Sequence, residues 1–467
     1  MRPLFGLAAK CYERRHPMFR LTNFDVEFVR RWSPIRFMLV GIAGYVVLFA
    51  LSPLEYAYEY LSLEAFGYFV LVVGSFLAGA FIGQVMNRQA GPLVPQPIYT
   101  SADAMINTTA ILGLVGVLAR IYDRFILRGF QISSNIIDAR ESIAEGITVF
   151  AYVGGLFFCF GMVSLVLIWL SDSQRRRPAM FAFVVMLALY PTFEAMLAGG
   201  RSTLLHTAFL IFIFGRSTDS LQWLFRSPLK MALAALLVLG ALVAIYEFRS
   251  LQGVDDLDLV DVFKQTAISK FAYPPAWIVD ILIDNAGEGL VAELLKGWVH
   301  LSQYFTHSWL AYCASFDQSV GVFGMGRIHF IMPTRLLSGL LGEDWTYDPG
   351  LYGMETGLSS TTVSLIYYDF GLAGPAIAVV FGYVVSWVHR KAILYPERWL
   401  PLHAYLCLNC LTVMIDNQLV GGMGTFAIWA FIAYVPLHWS VTSLMRGTDS
   451  PLANRAGDID APLENAD

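Results

Sequence analysis

The sequence predicts an all-α polytopic membrane protein, with about ten transmembrane helices and one large helical loop set between late spans. Three observations predict it. Of 467 residues, 57% are hydrophobic and only 14% charged, with a mean hydropathy of +0.58, which is too apolar for a soluble globule. The apolar residues gather into runs of roughly 17–25, the length at which a helix crosses a bilayer. One stretch of more than a hundred residues, Arg249 to Phe370, interrupts these runs and is acidic, its Asp and Glu well outnumbering its Lys and Arg.

Taken in order, residues 1–34 place Arg2, Lys10, Arg14, Arg15, Arg20, Arg30 and Arg31 among Phe and Leu. That mixture predicts an amphipathic lead-in on an anionic leaflet and a cytoplasmic N-terminus. The first apolar run starts only after this segment, so no cleavable signal peptide is expected. The runs that follow are Ile35–Leu54, Leu63–Met86, Ala102–Tyr122, Gly146–Leu170, Pro178–Leu197, the short Ser202–Gly215, Pro228–Phe248, Gly371–Val388, Leu400–Ile415 and Gly422–Leu444. This divides the chain into a bundle over 35–248 with about seven spans, the large loop over 249–370, and closing spans over 371–446. The polar tail over 447–467 is expected to be disordered and cytoplasmic.

Alternation from a cytoplasmic N-terminus puts Arg175-Arg176-Arg177, Arg216, Arg226, Lys230, Arg390, Lys391, Arg398 and Arg446 on the cytoplasmic side. It puts Glu55, Glu59 and the acidic loop on the other, as the excess of cations in cytoplasmic loops requires. One connection runs against the pattern: Arg120–Glu145 places four arginines and four acids on the outer side. The net charge of −5 leaves no basic face for nucleic acid.

Within the large loop, Leu290–Ala314 repeats apolar residues at helical spacing with Trp298, Tyr304, Phe305, Trp309 and Tyr312 interleaved. This predicts helices lying on the bilayer surface. Glycines and prolines from Gly321 to Pro349 then break the chain into turns, and Ser359–Phe370 reads as a short helix returning to the membrane.

Candidate chemistry collects on the outer side. Arg201, in the short turn Ala198-Gly199-Gly200-Arg201-Ser202, is read either as an anion ligand or as the structural partner of Glu194. Arg249 follows Glu247 at the outer end of its span, and Arg327 and Arg335 flank His329. Converging guanidinium forks suit a diphosphate, while each arginine alone is explained by interfacial snorkelling. Asp369, His329 and Glu247 are the general-base candidates by type and side. No HExxH or other ligand spacing is present, so neither a metal nor a cofactor is expected. Of five cysteines, Cys407 and Cys410 form a CxxC inside an apolar run with no second pair, which reads as helix packing. Walker, GxSxG and strand-following GxGxxG patterns are also missing, which removes the usual nucleotide and serine-hydrolase classes.

The stretch Gly357-Leu358-Ser359-Ser360-Thr361-Thr362-Val363-Ser364-Leu365-Ile366-Tyr367-Tyr368-Asp369-Phe370-Gly371-Leu372-Ala373-Gly374 resembles the hallmark of the oligosaccharide repeat-unit polymerases, the Wzy or O-antigen polymerase group. Gly199-Gly200-Arg201-Ser202 at a short outer turn, and one large loop between late spans, are similar to further features of that group. An arginine followed eleven positions later by glycine, repeated in some members, is not found: Phe212 stands eleven after Arg201 and Thr346 eleven after Arg335.

The resemblance implies a GT-C-like architecture in a bacterial inner membrane, with a periplasmic loop. It implies metal-independent transfer of a glycan from undecaprenyl diphosphate to a new lipid-linked repeat unit, making O-antigen, capsule or exopolysaccharide. The implied partners are the lipid-linked donor and acceptor, membrane lipids and a chain-length regulator. The implied diphosphate ligands are Arg201 and Arg249, with Arg327 or Arg335. The rival readings are an O-antigen ligase, which would use a loop histidine such as His329, a flippase or transporter of lipid-linked sugars, and a membrane acyltransferase.

Overall fold

A computed structural model describes residues 23–88, 102–129, 148–171, 177–197, 202–250, 270–284, 289–318, 323–342, 361–417 and 422–448. These residues are almost entirely helical. The helices are α1 (Val26–Arg31), α2 (Pro34–Leu51), α3 (Leu63–Arg88), α4 (Ala102–Ile121), α5 (Val149–Phe158), α6 (Phe160–Leu170), α7 (Pro178–Leu197), α8 (Ser202–Ser217), α9 (Gln222–Phe225) and α10 (Pro228–Ser250). The long loop contributes α11 (Ala276–Asp284), α12 (Leu290–Gln318) and α13 (Ile331–Leu341), and the chain closes with α14 (Thr362–Phe370), α15 (Gly374–Leu394), α16 (Pro396–Leu411) and α17 (Gly422–Thr448).

Among the described residues, seven helical stretches are long and apolar enough to cross a membrane: Pro34–Leu51, Leu63–Met86, Asp103–Leu127, Val149–Leu170, Pro178–Leu197, Thr362–Leu394 and Gly424–Leu444. The chain is therefore a helical, polytopic membrane protein. Of the ten expected spans, Ser202–Ser217 forms an apolar helix shorter than that length, and Pro228–Phe248 falls within the 23-residue α10, of which Pro228–Ala244 is an apolar stretch. The expected span at Leu400–Ile415 forms α16, which is buried along nearly its whole length, down to His403 and Asn409.

Two central helices explain the bundle. Every residue of α6 is buried, as expected of a helix apolar on all sides, and α16 packs beside it in the same core. The surrounding helices turn large apolar side chains outward, including Leu39, Val46, Val47, Phe66, Leu71 and Phe81, the surface a bilayer would cover. Helix α3 packs tightly on α15 because small residues let the backbones meet. A Cβ on Gly79 would collide with the Val379 carbonyl, and one on Gly382 with the Phe76 carbonyl.

The large loop is anchored more deeply than a surface helix would be. Instead of lying outside the bundle, α12 is one 29-residue helix that buries His300, Gln303, Thr306 and His307. Polar groups along it tie elements together: its Thr306 carbonyl accepts from Tyr45 of α2 at 2.7 Å, and its Ser308 hydroxyl donates to the Met414 carbonyl at 2.7 Å. His307 is likewise engaged, its Nδ1 lying 2.7 Å from the Gln303 carbonyl. A two-stranded antiparallel pair, Glu55–Tyr56 with Ala272–Tyr273, fastens the α2–α3 connection to the loop. There the Tyr56 hydroxyl donates to Thr306 Oγ1 at 3.0 Å, and burial raises its pKa, keeping it a donor. Leu54, Tyr56, Phe271, Ile278, Leu282 and Val299 form a second small core around this pair.

Candidate active site

Helix α14 begins where Thr361 caps it, its hydroxyl accepting the Ser364 amide at 3.0 Å. The helix ends at Gly371, whose φ of +54° is one a side chain rarely adopts and whose carbonyl receives the Tyr68 hydroxyl at 2.7 Å. Asp369 is thus held rigidly in the last turn of α14, completely buried.

The turn over 323–330 wraps around this carboxylate. The Gly324 amide donates to the Tyr368 carbonyl at 2.9 Å and the Met325 amide to the Asp369 carbonyl at 2.7 Å. The next amides turn to the side chain: Gly326 and Ile328 donate to Oδ1 at 2.8 and 3.2 Å, and His329 to Oδ2 at 3.0 Å. His329 Nδ1 also lies 2.7 Å from Oδ2. Such a succession of amides around one anion is a backbone nest. It depends on glycine, because a Cβ on Gly324 would strike Oδ1 and Gly326 has φ of +93°.

The geometry divides the roles. Every oxygen of Asp369 is engaged, so the carboxylate orients rather than reacts. By accepting from Nδ1–H it selects the tautomer of His329 that leaves Nε2 as the basic nitrogen. The imidazole leans on Phe370, ring centres 5.5 Å apart, and its side chain keeps 11% exposure. Arg327, on the same turn, is exposed and makes no ion pair among the described residues.

The other predicted residues, in whole or by their side chains, lie outside what the structure describes. Glu247 and Arg249 occupy the last turn of α10 and Arg335 lies in α13, but their side chains are outside the described set. Arg201 and its glycine turn also lie outside the described residues.

Sequence reasoning missed a second cluster at the same end of the bundle. Arg120, near the end of α4, and Arg124, in the π-helical turn Tyr122–Leu127 that continues it, both reach Glu194 Oε1 at 2.5 Å. Glu194 is therefore the partner of these two arginines, a pairing that the sequence reading did not offer. Arg128 adds a pair with buried Asp123 at 3.1 Å, and Thr148 donates to that same carboxylate. These ion pairs leave one positive charge in excess. The Arg120 guanidinium stacks over Phe158 and Phe426 at 5.7 and 5.8 Å, with room made by Gly154 and Gly155. One turn beyond Phe426 on α17, Trp429 lies 6.5 Å from Phe330, the residue after His329. The arginine cluster and the His329–Asp369 pair thus share one end of the molecule, joined by an aromatic ridge. The available signal was the Arg120–Glu145 connection, whose arginines sat on the wrong side for snorkelling cations.

Among the described residues no group of three or more His, Cys, Asp or Glu side chains could hold a metal ion. Cys407 and Cys410 are buried, and a histidine the CxxC pattern does not reveal stands beside them. His403, one turn before Cys407, lies 3.6 Å from its sulfur and 2.9 Å from His389 Nδ1.

No family model matches the chain, and it matches no curated protein and no solved structure. The likeness to repeat-unit polymerases therefore rests on the residues themselves.

Proposed function

We propose that the chain is a membrane glycosyltransferase that joins lipid-diphosphate-linked oligosaccharide repeat units at the outer face of a bacterial inner membrane. The observation that carries this reading is the His329–Asp369 pair. It presents a basic nitrogen beside an exposed arginine, at the bundle end that also holds Arg120 and Arg124.

In this mechanism an acceptor sugar hydroxyl attacks the anomeric carbon of the donor. Its oxygen forms the new glycosidic bond while the bond from that carbon to the diphosphate oxygen breaks, and the diphosphate leaves with the electron pair. The hydroxyl proton passes to Nε2 of His329, and Asp369 steadies the resulting imidazolium. Guanidinium groups at the rim take up the charge that develops on the leaving diphosphate, as fixed donors do without reorganising. Arg327 is the nearest candidate by position, with Arg201, Arg249 and Arg335 as further ligands.

The same pair would serve a ligase, with the acceptor deciding between the two readings. Purified protein given lipid-linked repeat units alone should yield a ladder of lengthened lipid-linked glycans. If the units stay single until lipid A core is added and are then transferred to it, the ligase reading replaces the polymerase. If neither acceptor is used, the glycosyltransferase reading fails.

The sidedness carries its own prediction. In a variant lacking native cysteines, Met325→Cys, 85% exposed on the site turn, should react with an impermeant thiol reagent in intact spheroplasts. Lys230→Cys, at the start of α10, should stay unlabelled until the membrane is opened. The opposite pattern would place the site in the cytoplasm.

A further inference from the structure

The other end of the bundle holds a second polar cavity that the transfer reaction does not use. It has a volume of about 560 Å³, within the usual size of small-ligand sites. Its walls come from α1, the start of α2, the end of α3 and the end of α15. Arg30, Arg31, Arg36 and Arg390 supply four guanidinium groups, with the His389 ring among them; Arg30 also pairs with Glu27 at 2.8 Å, leaving Arg31, Arg36 and Arg390 as the main charge. Ser33, Gln84 and Ser386 add neutral hydrogen-bonding groups, and no carboxylate lines the cavity among the described residues.

Two features aim this charge at an anion. Arg36 donates to the Arg31 carbonyl at 2.6 Å, which draws the two cationic residues together. The N-terminus of α2 opens here, with Ser33 in the lining and making no side-chain cap, which sets the positive end of the helix at the cavity. The remaining lining is apolar: Ile35, Leu39 and Ile393. Leu39 is 51% exposed on the outward surface of α2, which is one of the membrane-crossing helices. The cavity is therefore cationic at its mouth and apolar on the side that meets the bilayer. The 21 residues of α15 set it roughly 30 Å from the His329–Asp369 end.

We propose that this cavity binds the phosphodiester headgroup of an anionic glycerophospholipid in the leaflet opposite the reaction site. The arginine forks and the open helix start hold the phosphate, and the first acyl methylenes lie against Leu39 and Ile35. Free phosphate shares the headgroup chemistry but has no use for the apolar wall.

The test reconstitutes the full-length protein in phosphatidylcholine nanodiscs with a minor fraction of phosphatidylglycerol and reads retained lipid by native mass spectrometry. Wild type should retain phosphatidylglycerol over phosphatidylcholine by about tenfold or more, as several near-surface cations allow. Inorganic phosphate at millimolar concentration should not displace it. The double variant Arg36→Gln/Arg390→Gln should lose the preference, and Arg36→Lys/Arg390→Lys should keep most of it. An unchanged preference in the Gln variant overturns the proposal. Displacement of the lipid by phosphate alone assigns the cavity to a free anion and overturns the lipid assignment. Should the Gln variant fail to fold, a photoreactive residue at Leu39 in otherwise wild-type protein decides, because absence of a phosphatidylglycerol crosslink overturns it equally.

Discussion

His329→Ala is expected to leave an inserted, folded protein whose turnover on lipid-linked repeat units falls by about two to four orders of magnitude, the usual contribution of a positioned acid–base group. The residue touches Asp369 through its ring, but its backbone amide also binds that carboxylate, so the turn keeps three of its four hydrogen bonds to the Asp369 side chain when the ring is removed. Asp369→Asn should cost a similar factor for a different reason. The amide can still accept from the backbone nest, but when its NH2 faces His329 it forces the proton onto Nε2, the wrong tautomer for a base. Asp369→Ala goes further and strands three buried amides, each costing about 1–3 kcal/mol, so abundance should fall along with activity. Turnover per folded enzyme separates these outcomes. Near wild-type turnover for His329→Ala would remove the pair from the chemistry.

Glu194→Ala is expected to be the most destabilising single change in the arginine cluster. It leaves Arg120 and Arg124 facing each other with no shared anion, at side-chain exposures of only 12% and 13%. Breaking a buried pair in this way costs about 3–5 kcal/mol, because the remaining charges stay desolvated and now repel. Glu194→Gln keeps a hydrogen-bond acceptor and should lose less, and Glu194→Asp less again if the turn can follow it. Thermal midpoints of the three variants in the same nanodiscs should fall in that order. A Glu194→Ala midpoint close to wild type would mean the two guanidinium groups are compensated from elsewhere, with Glu194 dispensable.

The membrane character was legible because a bilayer imposes a length and an apolarity that a one-dimensional pattern displays directly. Helix boundaries such as Leu63–Arg88 and Pro178–Leu197 fall within a few residues of the apolar runs. Burial was not legible from the same pattern. Leu290–Ala314 has the amphipathic spacing of a surface helix, yet α12 buries its polar stripe against α2 and the end of α16. Spacing reports that two faces differ; it does not report which partner each face will meet.

The site divides in the same way. Asp369, His329 and Arg327 were candidates from residue type and topological side alone, since charged groups are costly near a bilayer and cluster where they are used. The sequence by itself determined that this is a helical membrane protein, where its apolar helices run, and which few polar residues are available for chemistry. Only the tertiary structure decided that Asp369 takes the His329 ring and three backbone amides, that Glu194 pairs with Arg120 and Arg124, and that Arg390 joins Arg30, Arg31 and Arg36 around one cavity. The physical reason is that hydropathy acts residue by residue along the chain. Hydrogen bonds and ion pairs act over about 3 Å between groups that here stand 40 to 303 positions apart, and folding alone brings those together.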